Sequence, residues 1–349
     1  MRWIAPLLLA VLLSVCGGLY VAWNHVLDAL QEPLGFDAGR VEFKIPEGAS
    51  LKHVLTRLER EGICRQTQWL YVYARIKKQV DIKAGYYEIL STDTPLQMLE
   101  RFLKGKVLLF SVVIPEGYNR WQVRRVLTEA GWMSEADFEA LCENKTFLES
   151  QGLTTPTCEG ALFPNTYAFA KNTSPRDIFK AMFGLYKNTL QDIQKTYGRG
   201  PLQWDDNAMT TLASVVEKET GYPEERPHIA CVFYNRLTAQ PPWRLETDPT
   251  VAYAATLADP SFNGNIKKWH LTSLMHPYNT YKYTGLPPGP IANPGREALL
   301  AVAQPAPCKD YFFVSMNNGQ HVFCPDLKCH NKAVNYWQKM YFGVKKTTE

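Results

Sequence analysis

The sequence predicts an α+β fold held behind an amino-terminal transmembrane helix, and three observations predict it. An uncharged apolar run opens the chain, a strand-turn-helix unit occurs twice, and a long helical stretch is followed by a late β-hairpin. More than 300 residues follow the apolar run, enough for two domains with cores of their own.

Ile4 to Trp23 carries no charge and is rich in Leu, Val and Ala. At 1.5 Å per residue, about 20 residues cover the roughly 30 Å hydrocarbon layer of a bilayer. Arg2 precedes the run and Asp28 is the first charge after it, so the positive-inside rule favours a cytoplasmic amino terminus with the body outside the cytoplasm. A cleaved signal peptide is the competing reading, but Tyr20-Val21-Ala22 sets a large ring where cleavage wants a small residue. Residues 1–23 are therefore read as an anchor. Residues 24–40, polar and broken by Pro33 and by Gly35-Phe36-Asp37-Ala38-Gly39, are read as a tether.

Folding proper begins at Val41. Phe43-Lys44-Ile45 alternates like a strand, Pro46-Glu47-Gly48 turns, and Ser50 caps an amphipathic helix through Val54, Leu55 and Leu58 to Gly62. The pattern returns about 69 residues later, as Val113-Ile114-Pro115-Glu116-Gly117 followed by Trp121, Val123, Val126 and Leu127 up to Gly131. Between the copies lie a helix from Trp69 to Lys77, a strand at Ala84 to Ile89, and a helix from Thr94 to Leu103 stopped by Gly105. Residues 41–107 thus form one compact unit without an acid, nucleophile or metal set, either a spacer or a binding module.

Beyond Gly131 helices dominate, interrupted by the apolar loop Gly160 to Tyr167. Ser174 caps one helix, Asp206 opens another that carries Glu219, and His228 to Leu237 continues as a third. Tyr311–Ser315 and His321–Phe323 flank Asn317-Asn318-Gly319 as a hairpin.

A net charge of +4 with scattered Lys and Arg gives no reason to expect nucleic acid. Seven of the eight cysteines follow the anchor. Cys142 with Cys158 and Cys324 with Cys329 would each close a short loop, and an odd number leaves at least one thiol unpaired. Cys324 to His330 lacks a second CxxC or an HExxH run, so neither metal nor cofactor is expected.

The most informative run is Ala213-Ser214-Val215-Val216-Glu217-Lys218-Glu219-Thr220. At roughly 100° per residue, with Leu212 at zero, Val216 falls near 40°, Val215 near 300° and Glu219 near 340°. Glu219 therefore points where the apolar side chains point, while Glu217 near 140° belongs to another face and Lys218 near 240° can reach water. A carboxyl against apolar neighbours has a raised pKa, as a general acid needs near neutral pH. A charged helix end, or a buried arginine paired with Glu219, is the competing reading. Four polar clusters follow: Asn235-Arg236, Thr247-Asp248-Pro249-Thr250, Tyr278-Asn279-Thr280-Tyr281, and the Gly- and Pro-rich stretch from Gly285 to Gly295. Such segments suit rigid loops, and their amides, hydroxyls and rings suit a sugar cleft.

Glu217-Lys218-Glu219-Thr220, Phe233-Tyr234-Asn235-Arg236-Leu237, Thr247-Asp248-Pro249-Thr250, Asn279-Thr280-Tyr281, Gly285-Leu286-Pro287-Pro288-Gly289 and the upstream Leu162 to Tyr167 resemble, in order and spacing, the MltG (YceG-like) family of endolytic murein transglycosylases. The resemblance runs from about Val41 to Tyr336. Where many members have Asp before Thr-Tyr in the upstream motif, this chain has Asn165 and carries no charge. The resemblance implies a single-pass protein of the bacterial inner membrane, with a LysM-like subdomain at 41–107 and a mixed α+β catalytic domain at 108–349 in the periplasm. It implies cleavage of nascent peptidoglycan glycan strands, contact with penicillin-binding synthases, and Glu219 as the catalytic residue.

With one carboxyl, Glu219 would act as acid and then base to give 1,6-anhydromuramic ends, and a pKa of about 6 would suffice. Asn235, Asn279, Thr280 and Tyr281 would hold acetamido and hydroxyl groups, with Arg236, Thr250, Gly285 and Pro287 completing the substrate groove. Asp248 would cap a turn or position substrate. A hydrolytic muramidase using Asp248, and a catalytically silent glycan-binding scaffold for cell-wall synthases, are the alternatives.

Overall fold

The computed structural model describes residues 4–340, which divide into two compact units. One contains the chain up to Phe110 together with Ala168–Asn172; the other contains Ser111–Tyr167 and the chain from Thr173 onward. The fold is α+β, and each of the three sheets among the described residues has two strands.

The first unit contains α1 (Ile4–Gln31), β1 (Arg40–Ile45), α2 (Leu51–Arg60), α3 (Thr67–Ile76), β2 (Gly85–Leu90) and α4 (Pro95–Lys104). By length and composition α1 is long and apolar enough to cross a membrane. β1 and β2 pair antiparallel with Phe43 opposite Tyr87 and Ile45 opposite Gly85. Phe43, Ile45, Tyr87 and Ile89 thereby fall on one buried face against Leu55, Leu58 and Phe102. Ser50 accepts from the His53 N–H to cap α2, and Thr94 with Gln97 forms a reciprocal capping box on α4. The span expected to be a tether is ordered structure instead: α1 continues to Gln31, and Leu30 and Leu34 are buried in the core. Their apolar side chains gain more from burial than a solvated linker offers.

The second unit begins along β3 (Leu109–Ile114), which pairs with β4 (Asn165–Ala170). Between them lie α5 (Arg120–Glu129), α6 (Glu135–Cys142) and α7 (Lys145–Ser150). The repeat read from sequence returns in the backbone, since Gly48 and Gly117, closing the two Pro-Glu-Gly turns, share φ of 71°. The second half of the loop expected at Gly160 to Tyr167 is the start of β4, with Tyr167 and Phe169 buried. There follow α8 (Pro175–Tyr197), α9 (Asp206–Glu219), α10 (Arg226–Thr238), α11 (Asp248–Ala258), α12 (Lys268–Ser273) and α13 (Arg296–Ala303). The hairpin β5 (Phe312–Ser315) and β6 (His321–Cys324) then leads to α14 (Leu327–Val334). α9 is the central helix, packed against α10, α11 and α13 and buried at every position from Met209 to Glu217.

Cys142 bonds Cys158 and Cys324 bonds Cys329, as the short loops suggest. A third bridge, Cys231 to Cys308, joins α10 to the segment before the hairpin. Cys64 is left as a buried free thiol, its pKa pushed up to about 11 by burial, which makes it a poor nucleophile. The Cys231–Cys308 bridge spans 77 residues of sequence. Replacing both residues by Ala is expected to cost about 4 kcal/mol through the freed loop entropy and to lower Tm by about 10 °C. An unchanged thermal melt would show that the bridge does not restrain the unfolded chain.

Candidate active site

A helix enclosed on all sides cannot hold an ionised side chain without partners, and α9 holds two glutamates near its end. The Glu217 carboxylate is fully engaged: Arg226 donates Nη2 to Oε1 at 2.6 Å, and the Gly295 N–H donates to Oε2 at 3.0 Å. Burial pushes its pKa up and the Arg226 charge opposes that. The buried arginine weighed as a partner for Glu219 thus belongs to Glu217.

Glu219 is the last residue of α9, before an extended Thr220. Its Oε1 is buried without a hydrogen-bond donor, the one carboxylate oxygen so placed among the described residues. Its pKa is pushed up to about 8, chiefly by loss of water and further by the charge of Asp248, while Arg236 opposes. The negative end of the helix dipole acts in the same direction. The sequence led to an expectation of about 6. The rise is larger because no N–H or O–H reaches Oε1 and a second carboxylate lies close by. About nine-tenths of Glu219 is therefore protonated at pH 7.

Around Glu219 the elements bring together three other predicted residues. Arg236, on α10, is held by two carbonyls, donating Nε to Tyr311 at 2.7 Å and Nη1 to Leu245 at 2.5 Å. Asp248 is the exposed first residue of α11, and its Oδ1 accepts the Tyr281 hydroxyl at 2.7 Å. Burial first, and then Asp248, hold the Tyr281 phenol far above its ordinary pKa, so it remains a donor. The Thr247 to Thr250 cluster, expected outside regular structure, is the beginning of α11. Pro249 fits there because the first turn needs no N–H from it and its fixed φ is already helical.

The other predicted residues have their polar groups taken up by the protein. The Asn235 amide donates to the Asp310 carbonyl at 2.9 Å. Thr250 donates to the Thr247 carbonyl at 2.7 Å and shares a 2.7 Å contact with the Thr280 hydroxyl, which accepts the Thr247 N–H. Asn279, fully buried, donates to the carbonyls of His270 and Leu274 and accepts the Tyr281 N–H. These side chains fix the loops that hold Asp248 and Tyr281. Gly285 has a φ of 87° with open space around its Cα, and Pro287 is buried. Asn165, exposed, accepts the Thr166 N–H.

One buried acid was not singled out from the sequence. Glu159 accepts the Arg120 N–H at 3.0 Å, the Tyr253 hydroxyl at 3.0 Å and the Asn293 amide at 3.2 Å, with a pKa raised by burial to about 7. It anchors the Pro-rich loop, which Ser214 also holds by accepting the Ile291 N–H. The available signal was an acid wedged between Cys158 and an apolar run. His228, Cys308 and Asp310 converge as metal ligands would, but the Cys308 sulfur is bonded to Cys231 and offers no thiolate.

Residues 43–336 match the profile of the YceG-like family. A protein of Bacillus subtilis strain 168 named endolytic murein transglycosylase is 29% identical over 340 residues, covering 91% of this chain and 90% of that protein. One of the same name from Streptococcus pneumoniae strain D39 is 28% identical over 361 residues, and the match takes in 95% of this chain but 64% of its own length. The chain therefore spans less than two thirds of the pneumococcal relative. The crystal structure of a YceG-like protein from Listeria monocytogenes superposes with a TM-score of 0.54 at 28% identity, covering 84% of this chain and 98% of that one.

A carboxyl whose pKa is raised on folding contributes its stability below the unfolded value, near 4.5, and loses it as pH rises through about 8. Glu219→Gln removes this dependence. Denaturant unfolding should therefore show the variant gaining on the wild type between those pH values, by up to about 1.4 kcal/mol per pH unit, and levelling off above. A constant difference across that window would mean that Glu219 is not buried as a neutral acid.

Proposed function

The chain belongs to the YceG-like family, and on that premise we propose that it is a membrane-anchored endolytic transglycosylase that cuts peptidoglycan glycan strands with Glu219 as its acid and then its base. The observation that carries this reading is the enclosed, unpartnered Oε1 of an acid that keeps its proton at neutral pH. Neither Glu217 nor Glu159, each tied by several hydrogen bonds, offers a free proton.

Glu219 gives its proton to the glycosidic oxygen between N-acetylmuramic acid and N-acetylglucosamine, and the C1–O bond breaks through an oxocarbenium-like transition state. The carboxylate left behind faces Asp248, which disfavours it, and Arg236, which tolerates it for the interval. It then takes the C6 hydroxyl proton as O6 bonds to C1. A 1,6-anhydro end forms, no water is consumed, and Glu219 is again protonated. Tyr281, fixed by Asp248, is a neutral donor at the edge of this centre. In the same reading residues 41–107 are a LysM-like unit, the catalytic body lies on the periplasmic side of the inner membrane, and cell-wall synthases that make the strands are its partners.

The closeness of Asp248 to Glu219 supports a second reading, hydrolysis with Asp248 activating water. The products separate the two. Mass spectrometry of digested peptidoglycan should find anhydromuramic ends with the wild type and none with Glu219→Gln. Reducing ends would make the protein a hydrolase, and undiminished products from Glu219→Gln would remove Glu219 from the chemistry.

Glu217→Gln should leave cleavage per folded molecule largely intact while losing about 3–5 kcal/mol of stability, because it strands Arg226 without its anion. Since the reaction needs protonated Glu219, kcat/KM is expected to fall about tenfold per pH unit above a limb near pH 8. A rate still flat well beyond that pH would exclude Glu219 as the acid.

A further inference from the structure

α3 is apolar on two faces. Leu70 and Ala74 turn inward and are fully buried. On the other side Trp69, Val72 and Ile76, spaced i, i+3 and i+7 and so within about 60° of arc, are 52%, 41% and 60% exposed. A helix of a water-soluble unit has no reason to keep such a second stripe.

The place of the stripe beside α1 names its partner. From Val11 to Ala22 α1 is exposed, and from Trp23 onward it is held by the first unit, with Val26 and Leu30 in the core. Twenty residues from Ile4 end at Trp23, so the hydrocarbon layer ends there, at the level where indole rings favour the membrane boundary. Trp69 lines a groove with Leu19, Ala22, Trp23 and Val26, and Tyr73 of the same α3 face stacks on Trp23 at 6.4 Å. The stripe thus adjoins the part of α1 that leaves the lipid. Exposed Arg75, Lys77 and Lys78 flank it, suited to anionic headgroups.

We propose that Trp69, Val72 and Ile76 insert into the outer boundary of the bilayer that α1 spans, so that the first unit lies on the membrane instead of swinging above it. The proposal rests on α1 being an anchor and is independent of the catalytic reading.

The test uses full-length protein in phosphatidylethanolamine and phosphatidylglycerol vesicles, with or without brominated acyl chains, comparing wild type with Trp69→Phe. Their difference spectrum isolates Trp69. It is expected to be blue-shifted, resistant to aqueous iodide and lost in bromolipid. The same subtraction with Trp243→Phe, exposed in the second unit, should give the opposite pattern. A Trp69 signal that bromolipid leaves intact overturns the proposal, whether iodide reaches the ring or another protein surface covers it.

Discussion

The buried ion pair between Glu217 and Arg226 is the constraint around which the second unit is arranged. α9 is buried at every position from Met209 to Glu217, so an acid at 217 must be matched from outside the helix. Arg226, at the start of α10, supplies the charge, and the Gly295 backbone, just ahead of α13, supplies the second donor. Both helices are thereby tied to the end of α9. The arginine is also committed elsewhere: its Nη2 lies 2.6 Å from Glu217 and 3.5 Å from Glu116, and it is not a partner of Glu219. Two residues on, Glu219 has no donor at Oε1 and keeps its proton. A satisfied and an unsatisfied acid on one helix are pushed toward opposite roles.

The remaining polar network holds this contrast in place. Thr220, directly after Glu219, accepts the Tyr222 N–H, and Glu225 takes both the backbone N–H and the ring Nδ1 of His321. The β5–β6 hairpin is thus joined to the turn that ends α9. On the other side Asn279, Thr280 and Thr250 bind the loop carrying Tyr281 to the first turn of α11, which fixes Asp248. Glu159 and Asn293 hold the Pro-rich segment against α5 and α11. Loops tied in this way are already ordered and have little freedom left to lose when a ligand binds.

Much of this was legible in the sequence, and the reasons differ from residue to residue. Helix starts at Ser50, Thr94 and Ser174 could be read because a capping side chain acts on donors three residues away, entirely within local sequence. The separation of Glu217 from Glu219 was legible only in part: 3.6-residue periodicity sets Glu217 on a different face, but α9 is buried on every face through Glu217, and Glu219 at its end is half-buried. The partner of Glu217 could not be read, since Gly295 lies 78 residues away and the contact depends on tertiary packing. The polar motifs at Asn235, Thr250, Asn279 and Thr280 suggested sugar contacts, yet the same amides and hydroxyls are what rigid loops need for themselves, and composition does not separate the two uses. Residues 24–40 read as a tether for the opposite reason: Val26 and Leu30, on either side of Asp28, continue the apolar face of α1, Leu34 joins the same core from just past the helix, and the polar residues between them mask it.

Every role given to Glu219 requires it to be a neutral acid near pH 7. Carbon-13 NMR of the glutamate carboxyls, followed through pH with Glu219 assigned by its disappearance in Glu219→Gln, measures this directly. The Glu219 carboxyl is expected to titrate near pH 8. A Glu219 signal that titrates near the ordinary value of 4.5 would contradict it.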